Sequence, residues 1–353
     1  MPSQLFAMAT ATMDNKIKAC NQHSAPKPDN YPDDEADRDG TCAASVPFQQ
    51  PYLFPKRLQH YDCIYNILGS SLLVTTNCVS RFAPSPTGRL HLGHGYSALL
   101  AQDLAHAQGG RFVLRIEDID ENRCRPEFVD GIFEDLKWLG LTWEDPVMVQ
   151  STRREAYQAA LDQLIEMGLA YKCWCTRAEI AAAAGAPQGD QPIYPGTCRG
   201  RADPGDGRPF CWRLDCAAAQ RQAGPLIWQD ALAGRVVARP EVLGDVVIAR
   251  KDAGTSYHIA VVVDDATQGV TDIVRGDDLF EATHIHRLLQ ALLDLPVPLY
   301  HHHGLILDAG GERLAKRRNS ETLADLRAQG IDPAALVEGL RRGVLPPGYH
   351  LGD

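Results

Sequence analysis

The chain has 353 residues, 44% hydrophobic and 23% charged, enough apolar length to bury a core as one domain or two. Its 35 basic residues against 45 acidic ones give a formal net charge of -10, which excludes a uniformly basic nucleic-acid binder and requires any polyanion to be met by a local patch. Apolar runs such as Ile64 to Val74 are broken by Asn66, Gly69 and Ser70 and are too short to span a bilayer, while the ten cysteines, with no cleavable signal before them, read as reduced thiols of a cytoplasmic protein.

Residues 1 to 80 hold a Pro/Asp-rich stretch from Ala25 to Gly40 and no sustained periodicity, so a poorly ordered extension is expected there. Its crowded acids, Asp29 to Asp39, argue against an organelle transit peptide. From Arg81 the signals become regular. A short apolar segment and a Pro/Gly loop, Pro84 to Gly88, precede a predicted helix from about Gly93 to Gln108, which Gly109 and Gly110 stop. Arg111 to Ile116 alternates Phe112, Leu114 and Ile116 as a strand does and runs into the acids Glu117, Asp118 and Asp120. A second helix is predicted from Pro126 to before Gly140, and a third from the capping-box pattern Thr152 to Glu155 as far as Gly168. Such alternation predicts a parallel sheet with helices packed on it.

Residues 170 to 240 break the rhythm with paired cysteines, a Gly/Pro/Gln-rich loop from Gly185 to Gly196, and strand-like runs at Phe210 to Leu214 and Leu226 to Gln229. They are read as an insertion into a catalytic domain covering 81 to 353. Alternation resumes with Val246 to Arg250, the apolar run Ile259 to Val263, a strand over Val270 to Arg275 and a helix over Glu281 to Leu293. The run His301 to His303 is not expected to hold a metal, because successive side chains on a strand point to opposite faces.

Two phosphate-binding elements stand out. His91 and His94 open a helix, where free N–H groups and the positive dipole end favour anions, and imidazoles there can donate to phosphate oxygens. Far downstream, Gly310 and Gly311 precede the basic run Arg313 to Arg317, from which Lys316 could close over a triphosphate. Each alone reads as readily as a surface feature; their joint occurrence is the signal. Cys173, Cys175 and Cys198 cluster in the loop-rich insertion and are natural zinc ligands awaiting a fourth. Cys124, Cys211 and Cys216 lack matching spacing and read as structural.

The run Arg81-Phe-Ala-Pro-Ser-Pro-Thr-Gly-Arg-Leu-His-Leu-Gly-His94 resembles the HIGH signature of class I aminoacyl-tRNA synthetases, and Arg313 to Arg317 looks like a degenerate KMSKS loop with Lys316 at its second lysine. Arg115-Ile-Glu-Asp-Ile-Asp120 is similar to the glutamyl type rather than the glutaminyl type. Val262 to Asp265, Gln268 to Thr271, Val274 to Gly276 and the cysteine cluster resemble the short paralogues of that type, over about Ser80 to Leu326.

The resemblance implies an α/β fold, a doubly wound parallel sheet of Rossmann type with an inserted zinc-bearing subdomain. It implies ATP, with Mg(2+), as substrate, bound by His91, Gly93, His94 and Lys316, and it gives His91, His94 and Lys316 catalytic roles. Glutamate would be held by Arg81, Phe82, Ala83, Pro84, Ser85, Glu117, Tyr257 and Arg275. That set suits the ligand, since guanidinium forks take carboxylates bidentately and an acid takes the ammonium. Cys173, Cys175, Tyr194 and Cys198 would hold one zinc. The acceptor implied is queuosine at the wobble position of tRNA(Asp), reached by a monomer. Arg313, Ala315 and Gly304 depart from the family pattern, and Arg313 and Ala315 bear on ATP use. Only 35 residues follow Arg318, fewer than the ~50 of a small domain, so an anticodon-reading module is not expected. A truncated glutamyl-tRNA synthetase charging a 3′ end and a non-catalytic tRNA-binding paralogue remain as alternatives.

Overall fold

A computed structural model describes residues 78–184, 193–314 and 320–352. The chain first alternates β1 (Val79–Phe82), α1 (Leu92–Ala107), β2 (Arg111–Ile116), α2 (Pro126–Trp138), β3 (Glu144–Val149) and α3 (Arg154–Glu166). Then come β4 (Ala170–Cys173), α4 (Arg177–Ala184), β5 (Cys211–Leu214), α5 (Cys216–Ala223), β6 (Ile227–Asp230), β7 (Gly234–Val237) and β8 (Val247–Ala249). The remainder is α6 (Tyr257–Thr267), β9 (Asp272–Gly276), α7 (Ala282–Leu292), β10 (Leu299–His303), β11 (Ile306–Asp308), α8 (Leu323–Ala328), α9 (Pro333–Arg341) and β12 (Tyr349–Leu351).

Seven strands form one sheet in the order β3-β2-β1-β9-β10-β6-β7. Its pairings are parallel apart from the β6–β7 hairpin at one edge. The chain runs outward from β1 through β2 to β3, then returns to β9 on the other side of β1. That reversal of strand order opens a crevice beyond the carboxyl ends of β1 and β9. Parallel strands covered on both faces are buried along their length: all of β1 is buried, and all of β2 except Arg111. Two of those buried positions are Arg81 and Arg115, charges that the interior tolerates only with partners. Gly110 lets β2 come in beside β1. An added Cβ would sit 2.0 Å from the Cys78 carbonyl oxygen, which instead accepts the Arg111 N–H at 2.7 Å.

Helices pack on this sheet through apolar stripes. One cluster joins Leu92 and Leu99 of α1 to Phe112, Leu114, Ile132 and Leu136. A second joins Leu161 and Leu164 of α3 to Ile259 and Val262 of α6 and Ile285, Leu288 and Leu289 of α7. Each such side chain contributes about 1.5–3 kcal/mol by leaving water. Among the described residues no helix is long and apolar enough to cross a membrane.

The elements depart from expectation in several places. Cys78, Val79 and Ser80 are buried, so the boundary expected at residue 80 falls inside β1; the rest of the expected extension lies outside the described residues. The stretch 170–240 divides between two sheets: β5 pairs with β4 on one side and β8 on the other in a small antiparallel sheet, whereas β6 and β7 belong to the main one. Thr152 does not form a capping box; its hydroxyl donates to the Val149 carbonyl at 2.8 Å, and α3 begins after a 3-10 turn at Gln150–Arg153. β3 was not foreseen.

Candidate active site

The crevice holds a cavity of about 650 Å³. Arg81 and Phe82 reach it from the end of β1, and Ala83, Pro84 and Ser85 from the loop beyond. The Pro84 carbonyl accepts the Glu117 N–H at 3.0 Å, which ties that loop to the end of β2 and brings Glu117 into the wall. His91, Gly93 and His94 line it from the start of α1, Tyr257 from α6 and Arg275 from β9. Arg313 also lines it, and its Nη1 donates to Asp278 at 3.1 Å. Lys316 lies outside the described residues.

Two buried guanidiniums on neighbouring strands share one carboxylate. Arg81 Nε donates to Asp265 Oδ1 at 3.1 Å and its Nη1 to the Val274 carbonyl at 3.3 Å; among the described residues nothing is bonded to its Nη2. Arg115, fully buried, donates from Nη1 to the same Asp265 oxygen at 2.8 Å and to Gln268 at 2.9 Å, and from Nη2 to Glu117 Oε1 at 3.1 Å. Burial pushes the Asp265 carboxyl upward, but the Arg81 and Arg115 guanidiniums outweigh it and hold the group below the usual carboxylate range. For Glu117 burial prevails over the same two guanidiniums, and its carboxyl is raised. Cations and acids therefore offset each other within this group, and Glu117 keeps an oxygen for the cavity.

Arg275 is different. Its Nε donates to His302 Nε2 at 3.1 Å, Nη1 to the Tyr257 hydroxyl at 3.4 Å and His286 Nδ1 at 3.3 Å, and Nη2 to the Leu279 carbonyl at 3.2 Å and the Thr283 hydroxyl at 2.5 Å. Among the described residues every partner is uncharged. A guanidinium only 5% exposed and lacking a contacting anion is a cation in low dielectric, and an anionic ligand is what offsets it best.

At the helix start, His91 caps α1 in an extended conformation. His94 Nδ1 accepts the His91 backbone N–H at 3.2 Å, which leaves the proton of the neutral ring on Nε2. The two rings lie 3.7 Å apart, and a Cβ on Gly93 would come within 3.2 Å of the His91 ring. Further along the chain, the Leu323 N–H donates to the Leu90 carbonyl at 2.8 Å, just before the helix start.

The cysteines form a separate cluster. The sulfurs of Cys173, Cys175 and Cys198 all lie within 4.8 Å of one another, with Cys175 and Cys198 3.5 Å apart. The Tyr194 hydroxyl is 3.3 Å from Cys173 Sγ and 3.6 Å from Cys175 Sγ, and it accepts the Cys198 N–H at 2.8 Å. Metal–sulfur bonds of about 2.3 Å in a tetrahedron place ligand atoms roughly 3.8 Å apart. Three thiols and a phenol at these spacings fit a tetrahedral metal. Cys211 faces Cys173 in register across β4 and β5, but its thiol donates to the Cys173 carbonyl at 3.5 Å and stays outside the trio. His301, His302 and His303 turn to different partners, Asp272, Asp230 and Ser97, each at 2.8 Å.

Reading the sequence assigned no role to Arg115, Asp265 or His286, although the first two stand in the motif strings. His286 carried no signal at all.

The family model that matches this chain is that of the tRNA synthetases class I (E and Q), catalytic domain, over residues 77–350. A glutamyl-Q tRNA(Asp) synthetase of Rhodobacter capsulatus is 52% identical over 274 residues, covering 72% of this chain and 97% of its own. One from Nocardia farcinica is 45% identical over 289 residues, covering 79% and 90%. The crystal structure of a glutamate tRNA ligase from Elizabethkingia meningosepticum, in complex with its amino acid, matches with a TM-score of 0.62 at 27% identity, over 75% of this chain and 60% of that one. The present chain thus spans about 60% of the solved ligase's length. With a mostly parallel α/β sheet, a crevice at its strand-order reversal and a family match over most of its length, the chain belongs to the class I tRNA synthetases (E and Q), as an aminoacyl-tRNA ligase carrying their catalytic domain.

Proposed function

We propose that the chain activates glutamate with ATP, Mg(2+) accompanying the nucleotide, and transfers the glutamyl group to queuosine at the wobble position of tRNA(Asp). The observation that carries the first half is the pairing, around one cavity, of a buried cation lacking an anionic partner among the described residues, Arg275, with a largely enclosed acid, Glu117. A ligand bearing both carboxylate and ammonium answers both. The acceptor follows from the two relatives named glutamyl-Q tRNA(Asp) synthetase, which this chain matches over nearly their full length.

In this reading Arg275 exchanges its long 3.4 Å bond to Tyr257 for one to the ligand, and with the open Nη2 edge of Arg81 it takes the carboxylates through charge-assisted bonds. Arg115 occupies one oxygen of Glu117, so the α-ammonium binds the other. Phe82, Ala83, Pro84, Ser85 and Tyr257 close the walls. ATP lies across the start of α1 on His91, Gly93 and His94, with Lys316 reaching it from the basic loop. The glutamate α-carboxylate attacks the α-phosphorus, the bond to pyrophosphate breaks, and His94 Nε2–H donates to an oxygen gaining charge. A ring hydroxyl of queuosine then attacks the adenylate carbonyl and AMP leaves. Cys173, Cys175, Tyr194 and Cys198 would hold one zinc, which when bound clamps the small β4–β5–β8 sheet into a zinc-bearing subdomain. A monomer in the cytoplasm completes the proposal, a compartment where the unbridged cysteines stay reduced.

Labelled glutamate decides the acceptor. With tRNA(Asp) supplied with or without queuosine, and with or without its terminal adenosine, labelling is expected to require queuosine and to ignore the terminal adenosine. Labelling that follows the terminal adenosine would mean ordinary charging of the 3′ end.

A further inference from the structure

Arg275 is braced by two imidazoles, and its chemistry fixes their protonation. A guanidinium carries donors only, so each ring nitrogen facing it must present a lone pair, and a doubly protonated ring has none to offer. His286 accepts at Nδ1, 3.3 Å away, and its proton sits on Nε2. That nitrogen lies 3.3 Å from His258 Nδ1, which accepts in turn. His302 accepts at Nε2 and directs Nδ1–H to Asp230 at 2.8 Å. The brace through His302 thus ends on a carboxylate; the brace through His286 ends on another neutral ring.

Among the described residues, the titratable groups that bear most strongly on His286 or touch its ring are Tyr257 and His258 from α6, Arg275 from β9, Arg81 from β1 and His302 from β10, and none of them is a carboxylic acid. Burial, with Arg275 adding to it, pushes His286 well below its usual pKa, and His258 to about 4. An acidic residue at 286 would satisfy the same Arg275 N–H with a stronger, charge-assisted bond, as Asp265 does for Arg81. It would also supply Arg275 with an internal anion and cancel the attraction for an external one.

We propose that His286, backed by His258, is a positioning residue that orients the Arg275 guanidinium through an uncharged acceptor and so reserves its charge for the carboxylate of the amino-acid substrate. Preference for the acid over its amide is then set by a ring behind the cavity wall as well as by the residues that touch substrate. This rests on the reading that Arg275 takes a glutamate carboxylate.

The test is glutamate-dependent pyrophosphate exchange in H286E and H286Q, with thermal melting and the KM for ATP as checks on folding. H286E is expected to raise the KM for glutamate roughly 30-fold or more, with kcat within about threefold and the KM for ATP unchanged. H286Q keeps a neutral acceptor and is expected to restore the parental KM within about threefold. A parental KM in folded H286E, or the same loss in folded H286Q as in H286E, would overturn the proposal. Should H286E fail to fold, H258E sets the acid one ring further back; a smaller rise in KM supports the proposal there and a parental KM overturns it. Absence of exchange in the parent protein would instead count against the functional reading.

Discussion

The crevice and the cysteine corner are both polar clusters enclosed by apolar packing, and they are held together in opposite ways. In the crevice the protein satisfies the charges of Arg81 and Arg115 itself and leaves that of Arg275 without an anion among the described residues: Asp265 serves Arg81 and Arg115 from 184 and 150 residues away, and the Val274 carbonyl accepts from Arg81 across 193. In the corner the contacts are local, spanning 4 to 38 residues between Cys173, Cys175, Tyr194, Cys198 and Cys211. They are thiol and phenol contacts, weak donors and acceptors in place of ion pairs. One site is built by the fold apart from the anion that Arg275 lacks; the other, in the proposed reading, is completed by a metal.

The largest effect should come from breaking the crevice. Replacing Arg275 with Met removes a buried guanidinium of the cavity wall that has no anionic partner among the described residues, and kcat/KM for glutamate in pyrophosphate exchange should fall about 10³-fold or more. Metal content should not change, because no Arg275 contact reaches the corner. A variant that lost metal along with activity would erase the distinction between the two regions.

The reciprocal experiment follows. Cys198→Ala should drop bound zinc from about one per chain to near zero. Amide hydrogen exchange should quicken around β4, β5 and residues 194–201 while β1, β2 and β9 stay protected. Uniform loss of protection would show that the corner supports the main sheet as well.

A smaller effect sharpens the electrostatic side. Because burial raises the Glu117 carboxyl, the folded protein holds that proton more tightly than the unfolded chain does. The ionised form therefore opposes folding, and this group's contribution to stability grows as pH falls through its raised pKa toward the unfolded value. Substrate binding runs the other way, since the α-ammonium needs the carboxylate. The KM for glutamate should rise a few-fold (~3 to 10) as pH falls through the raised pKa, before an ordinary carboxylate titrates, and E117Q should lack the effect. A KM that stays flat until the usual carboxylate range would contradict the direction assigned to Glu117.

Much of this was legible in the sequence, for reasons visible in particular residues. β2 occupies the span that its alternating apolar residues predicted, and α2 starts at Pro126, because local pattern and packing agree there. β3 escaped notice because Asp145 and Pro146 are poor strand formers, tolerated at the edge position that β3 occupies. The division of 170–240 was hidden for another reason: whether β6 pairs with β5 or with β10 depends on residues some 70 positions away, as Tyr300 with Asp230. Arg81, Glu117, Tyr257 and Arg275 could be named from motif resemblance, and the structure brings them around one cavity. The residues that orient them could not, since Arg115, Asp265 and His286 act through partners that no spacing rule connects. Lys316 stays an expectation.

The pairing of β1 with β9, Ser80 opposite Asp272, has a consequence in time. Closing a chain segment of that length must precede any reward from the contact, which makes such sheets slow to form. The bonds of Arg81 and Arg115 to Asp265 depend on that closure, because the two arginines lie on its near side and Asp265 close to its far end. During refolding, helical signal should therefore return well before glutamate activation does, and the corner, built from near neighbours, can assemble independently of both.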